Sequence, residues 1–191
     1  MNLKKLIRKF YWNYRRTFLY PKFYELGENS RLEPNIIWHS AHAMSIGRDV
    51  LIRTGCRFEA LAVRRHSNTI RIRIGNKTSF QQACHVAAAQ EVVIGNGVLV
   101  AANVFITDHD HTFDHPTVPP GFLRELRCSP VCIHDGCWLG YGSVVLKGVT
   151  IGKRSVIGAN AVVTHDIPPY SVAVGVPAKV IYSFKHKIKE M

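Results

Sequence analysis

From Ile133 onward a large apolar residue returns every six positions: Ile133, Leu139, Val145, Ile151, Ile157 and Val163. Glycine follows directly at Gly140, Gly152 and Gly158. Four places after each of the first five stands a small or β-branched residue: Cys137, Ser143, Val149, Ser155, Ala161. The same register occurs earlier at Ile46 and Ile52, at Ile74 and Phe80, and at Ile94 and Val100. Their small partners are Val50 and Cys56, Thr78 and Cys84, and Val98 and Val104. An amphipathic helix would place apolar residues at i, i+3, i+4 and i+7, which this spacing does not do. A period of six builds a triangular parallel β-solenoid. Each unit is one short strand plus a turn, three units make a coil of about 18 residues, and coils stack at the ~4.8 Å strand spacing. The large residue fills a shared interior column, and the small one points inward near a corner. That accounts for Cys56, Cys84 and Cys137 without any chemistry. Glycine after the apolar residue suits corners that need unusual dihedrals.

The beat fails in three places. It slips by two between Val86 and Ile94, and it fades through "RRHSNTIRIRIG". Both read as looser corners or small insertions, with Arg64, Arg65, Arg71 and Arg73 on a solvated outer face. The third break is long: "NVFITDHDHTFDHPTVPPGF" interrupts the repeat from about Thr107 to Pro130. A solenoid can eject a loop from one corner without disturbing the stack, and such loops carry function. This one carries Asp108, His109, Asp110, His111, Asp114 and His115, stiffened by Pro116, Pro119 and Pro120.

"IGNGVLVAANV", "ITDHDH" and "CWLGYGSVVLKGVTIGKRSVIGANAVVTHDIPPYSVAVGVPAKVI" together resemble the hexapeptide-repeat acyltransferases, in the branch of the maltose, galactoside and nodulation-factor O-acetyltransferases. The subgroup from capsule, lipopolysaccharide and exopolysaccharide clusters is nearest. The resemblance runs over residues 44–182. It implies an all-β fold, a left-handed parallel β-helix over 31–183 with an active-site loop at 107–130. Around it lie a basic amphipathic N-terminal segment, 1–30, and a short basic tail, 184–191, both helical. It also implies a homotrimer with acetyl-CoA as acyl donor and a sugar or lipid-linked glycan as acceptor.

Acetyl transfer to an alcohol needs a base to take the hydroxyl proton, and histidine with a reference pKa of ~6.5 suits that task. By position after the "IT" that closes the coil, the resemblance makes His109 that base, with His111 as the alternative. Asp108 or Asp110 would orient the ring through its other nitrogen. By resemblance the coenzyme contacts fall at Trp138, Tyr141, Ala159, Thr164 and Lys179, with help from His165 or Lys153. Gln81 or Gln82 would meet the acceptor or hold the developing oxyanion. Gln81 stands near where sugar acetyltransferases of this branch carry asparagine, a departure that leaves the acceptor geometry open. The loop's carboxylates and imidazoles also suit a metal, but clustering in one loop differs from the three-coil histidine set of β-helical carbonic anhydrases, so no metal is expected. His85 reads as a coil-corner residue.

The formal net charge of +12 favours anionic partners. Leu3, Leu6, Ile7, Phe10, Tyr14 and Phe18 recur at helical spacing among Lys4, Lys5, Arg8, Lys9, Arg15 and Arg16. Such a helix either lies on an anionic bilayer or packs on the first coil or a neighbouring subunit. No stretch approaches the ~20 apolar residues of a spanning helix, and residues 1–20 lack the pattern of a signal peptide. The expected location is the cytoplasm, with peripheral membrane contact through residues 1–20. The expected reaction is acetyl-CoA-dependent O-acetylation of a sugar hydroxyl during surface-polysaccharide assembly. Two readings compete: N-acetylation of a nucleotide-linked amino sugar, and a non-catalytic β-helix that binds membrane or nucleic acid. No nucleic-acid module is recognisable, so nucleic acid is not an expected partner.

Overall fold

The computed structural model describes residues 20–61 and 69–185, together with Ile7, Phe10, Tyr11 and Tyr14. Three parallel sheets form the sides of a prism, the left-handed β-helix that the repeat implied. The first side stacks Glu25–Leu26, Met44–Ile46, Ile72–Ile74, Val92–Ile94, Val131–Ile133 and Thr150–Ile151. The second stacks Arg31–Leu32, Leu51–Ile52, Ser79–Phe80, Leu99–Val100, Trp138–Leu139, Val156–Ile157 and Ser171–Val174. The third stacks Ile37–His39, Arg57–Ala60, His85–Ala88, Phe105–Thr107, Val144–Val145 and Val162–Val163.

In-register pairing aligns the apolar beat into columns. Ile46, Ile74, Ile94, Ile133 and Ile151 fill the first side. Leu32, Ile52, Phe80, Val100, Leu139 and Ile157 fill the second. All eleven are essentially inaccessible to solvent. Each contributes about 1.5–3 kcal/mol by leaving water, so burial rather than strand length holds strands of two to four residues together.

The small residues do more than fit. Ser30 donates to the Gly47 carbonyl and accepts from Val50 N–H, at 2.7 and 3.0 Å. Thr78 does the same to Gly95 and Val98, at 2.7 and 3.1 Å. Cys137 directs its thiol to the Gly152 carbonyl at 3.2 Å, and burial pushes that thiol up to about 11. The hydroxyls of Ser30 and Thr78 and the thiol of Cys137 therefore tie neighbouring coils together, whereas the buried Ser143 hydroxyl has no partner.

The glycines need a correction. Gly140 and Gly152 do not adopt the left-handed conformation; a Cβ on them would lie 2.7 Å from Ala159 N and 2.3 Å from Pro169 N. They allow close approach of the next coil. The left-handed turn falls two residues later, at Gly142 (φ 65°) and at Arg154 (φ 58°).

The stack begins at Glu25, inside the stretch expected to be the N-terminal appendage, because Glu25–Leu26 already pairs with Ser45–Ile46. Tyr20 closes the upper end through hydroxyl bonds to Leu32 O and Leu32 N, at 2.9 and 3.0 Å, while Phe23 meets Trp38 edge-on at 4.9 Å. Lys179–Ser183 folds back antiparallel on Ser171–Val174 at the lower end. Ile7, Phe10, Tyr11 and Tyr14 are helical and exposed. The rest of the expected amphipathic face, with its six cations, lies outside the described residues. So do Arg64, Arg65 and residues 186–191. Among the described residues no helix is long and apolar enough to cross a membrane.

Candidate active site

Every interruption of the repeat leaves the prism at one corner, between the third and first sides. There the chain inserts residues 40–43, 89–91 and 108–130, and there also the described strands stop at Ala60 and resume at Ile72. The last is the expected loop. It leaves Thr107 as an antiparallel hairpin, His109–His111 against Leu126–Cys128, and re-enters the stack at Val131. Thr112 holds its far end through bonds to the Glu125 carbonyl at 3.0 and 3.2 Å. Arg127 bonds Asp114 and lies over the Phe113 ring, 5.4 Å from its centroid. His115 uses Nδ1 to accept from Thr117 and Val118 N–H at 3.2 and 3.0 Å, which makes it a turn residue.

At the root of the hairpin Asp108 has no exposed surface. Its Oδ1 accepts from Ala89 N–H at 2.8 Å, and Oδ2 accepts from Gln90 and Glu91 N–H at 2.7 and 2.6 Å. Oδ1 also meets His109 Nδ1 at 2.9 Å. A carboxylate with three backbone donors is an acceptor only, so Nδ1 of His109 carries the proton and Nε2 is left able to receive one. The His109 side chain is 11% exposed, and Thr107 Oγ1 lies 3.3 Å from the same Nδ1. Of the two aspartates considered for orienting His109, the ring is held by Asp108. Asp110 instead pairs with Lys147 Nζ at 3.4 Å, tethering the hairpin to the next coil. His111 is exposed on the same strand.

The donors to Asp108 come from the place where the beat slips by two. The extra residues between Val86 and Ile94 form the turn that aims three N–H groups at one carboxylate. That slip was a signal in the sequence, but reading it as a loose corner missed it. Arg71 sits beside it, donating to the Gln90 carbonyl at 2.9 Å, and Arg73 pairs with Glu91 at 3.3 Å.

The other expected site residues lie elsewhere. Trp138 and Tyr141, about half exposed, stand on the second side and on its corner with the third. Tyr141 Oη accepts from Asn103 Nδ2 at 2.7 Å, and its carbonyl accepts from Asn160 N–H at 2.8 Å, which brings Ala159 directly beneath. Gln81 and Gln82 occupy that same corner two coils above, with the Gln82 carbonyl accepting from Asn103 N–H at 3.0 Å. They are not on the corner of His109. Thr164 and His165 are on it, with Oγ1 and Nδ1 2.8 Å apart, below the hairpin. Lys179 is exposed at the start of the closing strand, and Lys153 is exposed at the opposite corner. Among the described residues no group of three His, Cys, Asp or Glu side chains is arranged to hold a metal.

His85 is not a corner residue. It is the first residue of the strand His85–Ala88 on the third side, with Nε2 2.7 Å from Glu59 Oε2. Neither member of this pair was distinguishable from a solvated strand residue in the sequence.

A family description, bacterial transferase hexapeptide (six repeats), matches residues 133–165. The Escherichia coli K12 protein WbbJ, named as a candidate lipopolysaccharide-biosynthesis O-acetyl transferase, is 44% identical over 112 residues, covering 55% of this chain and 57% of that protein. The galactoside O-acetyltransferase of the same strain is 42% identical over 98 residues, covering 51% and 47%. The chain thus spans about half the length of these curated relatives. A hexapeptide-repeat acetyltransferase of Vibrio cholerae, solved with acetyl coenzyme A, superposes with a TM-score of 0.61 at 26% identity over 97% of this chain and 80% of that one. By its repeat, its prism of stacked short strands and these likenesses, the chain resembles the hexapeptide-repeat acyltransferases, and it carries their repeat at residues 133–165.

Proposed function

We propose that this protein is an acetyl-CoA-dependent O-acetyltransferase that acetylates a sugar hydroxyl in the assembly of a cell-surface polysaccharide. One observation carries the reading: a buried carboxylate fixes His109 in the tautomer of a general base, at the root of the long loop 108–130. The likeness to proteins named as sugar and lipopolysaccharide O-acetyltransferases supports the acceptor class.

In this reading His109 Nε2 takes the proton from the acceptor hydroxyl as its oxygen bonds to the thioester carbonyl carbon. The carbon–sulfur bond breaks, and the imidazolium returns the proton to the departing sulfur. Asp108 stabilises the transient imidazolium and keeps the ring from turning. The thioester is already activated, so no covalent enzyme intermediate is required.

Acetyl-CoA needs an aromatic or apolar wall, backbone amides within reach and cations for its phosphates. Trp138 and Tyr141, the Gly140–Ala159 corner, and Lys179 with His165 offer these. Because Trp138 and Tyr141 lie off the corner of His109, a complete site calls for a second copy of the chain, which favours the homotrimer. The exposed face of Ile7, Phe10, Tyr11 and Tyr14, flanked in sequence by lysines and arginines, supports contact with an anionic membrane surface from the cytoplasmic side.

The test is thiol release from acetyl-CoA with methyl galactoside, maltose and glucosamine as acceptors, and product masses. O-acetylated sugar from the wild type and its loss in His109→Ala are expected. Acetylation confined to the amino group of glucosamine would replace the reading with N-acetylation. Retained activity in His109→Ala would move the base to His111. An active monomer in sedimentation would remove the shared site.

A further inference from the structure

The outer surface of the third side carries a second carboxylate–imidazole pair that the reaction above does not use. Glu59 is only 16% exposed at its side chain, and each oxygen has its own partner: Oε1 takes Arg57 Nη2 at 2.7 Å, and Oε2 takes His85 Nε2 at 2.7 Å. The guanidinium of Arg57 holds the Glu59 carboxyl below its usual range, against the opposing effect of burial and with help from His85. Ionised Glu59 therefore fixes His85 with its proton on Nε2, which leaves Nδ1 as the remaining polar atom of a side chain that is 36% exposed. The Phe105 ring packs at 41° to the imidazole, 5.1 Å between centroids. Strand register places Arg57, His85 and Phe105 in one outward column. The neighbouring column on that face is Glu59, Ala87 and Thr107, of which Ala87 and Thr107 are buried, and Thr107 touches His109.

A half-buried aromatic beside an oriented hydrogen-bonding group, with its charges internally paired, suits an uncharged ring that has one apolar face and several hydroxyls. Resting on the O-acetyltransferase reading, we propose that His85 and Phe105, positioned by Glu59, form a subsite for a neutral sugar ring next to the one acetylated. Phe105 and Thr107 are about 7 Å apart along the strand, and His109 lies up to about 13 Å from Phe105. One pyranose does not span that interval, so the preferred acceptor has at least two sugar units.

Saturation-transfer NMR and kinetics on the full chain test this, with galactose and glucose against lactose, maltose and maltotriose. The wild type should contact both rings of a disaccharide. His85→Ala and Phe105→Ala should lose contact with the non-reacting ring and raise KM for the disaccharide about tenfold, as loss of one net hydrogen bond or stacking contact would. The KM values for acetyl-CoA and monosaccharide, and kcat, should hold. Phe105→Tyr, which keeps the ring, should retain binding and control for folding. Unchanged disaccharide KM, an equal change for mono- and disaccharide, or no saturation transfer from the wild type to any of the sugars overturns the subsite. Should these fail while sugars are still acetylated, the reaction stands without the subsite. Should disaccharides bind as described without acetylation, the subsite stands and the reaction does not.

Discussion

Two corners of the prism are built by opposite rules. Between the first and second sides each coil repeats the last. Arg48 N–H bonds Asn76 Oδ1, Asn76 N–H bonds Asn96 Oδ1, and Asn96 N–H bonds Asp135 Oδ1, at 2.7–2.8 Å. Between the third and first sides few coils match, and there a side chain, Asp108, is held by backbone groups contributed from the coil above. The regular corner spends its polar groups on joining coils. The irregular one gathers them around a single imidazole. Repetition makes a rigid scaffold, and departures from it place chemistry, since a chain confined to one period cannot converge several groups on one atom.

The contrast is sharpest in the dyad. His109→Ala should lower kcat by roughly 10²–10⁴-fold, the range for a lost general base, with the melting temperature nearly unchanged. Asp108→Asn should both lower activity and destabilise by roughly 2–3 kcal/mol in chemical denaturation, because an amide accepts fewer of the buried N–H groups and loses the charge. A purely structural Asp108 would show the second effect without the first.

The regular corner should respond in stability alone. Gly152→Ala forces a Cβ against the Pro169 backbone at 2.3 Å and should cost about 1–3 kcal/mol as an overpacked site. Asp135→Ala removes the last acceptor of the exposed ladder and should cost about 1 kcal/mol or less, with turnover unaffected. Thiol chemistry gives the mildest contrast. Iodoacetamide near neutral pH should label exposed Cys128, on the hairpin, before buried Cys56, Cys84 and Cys137. Raised to about 11, Cys137 stays protonated in the fold when an unfolded thiol would ionise. Its contribution to stability is therefore present below the unfolded pKa and lost as the pH rises towards 11. A loss of activity in Gly152→Ala at temperatures where it stays folded would show that the two corners are not independent.

The six-residue beat by itself determined the solenoid, the inward columns, the buried thiols and the exit of the loop at Thr107. Each follows from a periodicity that one strand face can satisfy locally. The resemblance, not the beat, pointed to His109, with His111 as the alternative. It did not choose between Asp108 and Asp110, because that choice depends on N–H groups of Ala89, Gln90 and Glu91, a full coil away. Nor did it pair His85 with Glu59, since strand register brings together residues 26 positions apart. Only the stacked structure decides such contacts: in a parallel coil the nearest neighbours in space lie one turn away along the chain, and the length of each turn is set by insertions whose shape the repeat does not encode.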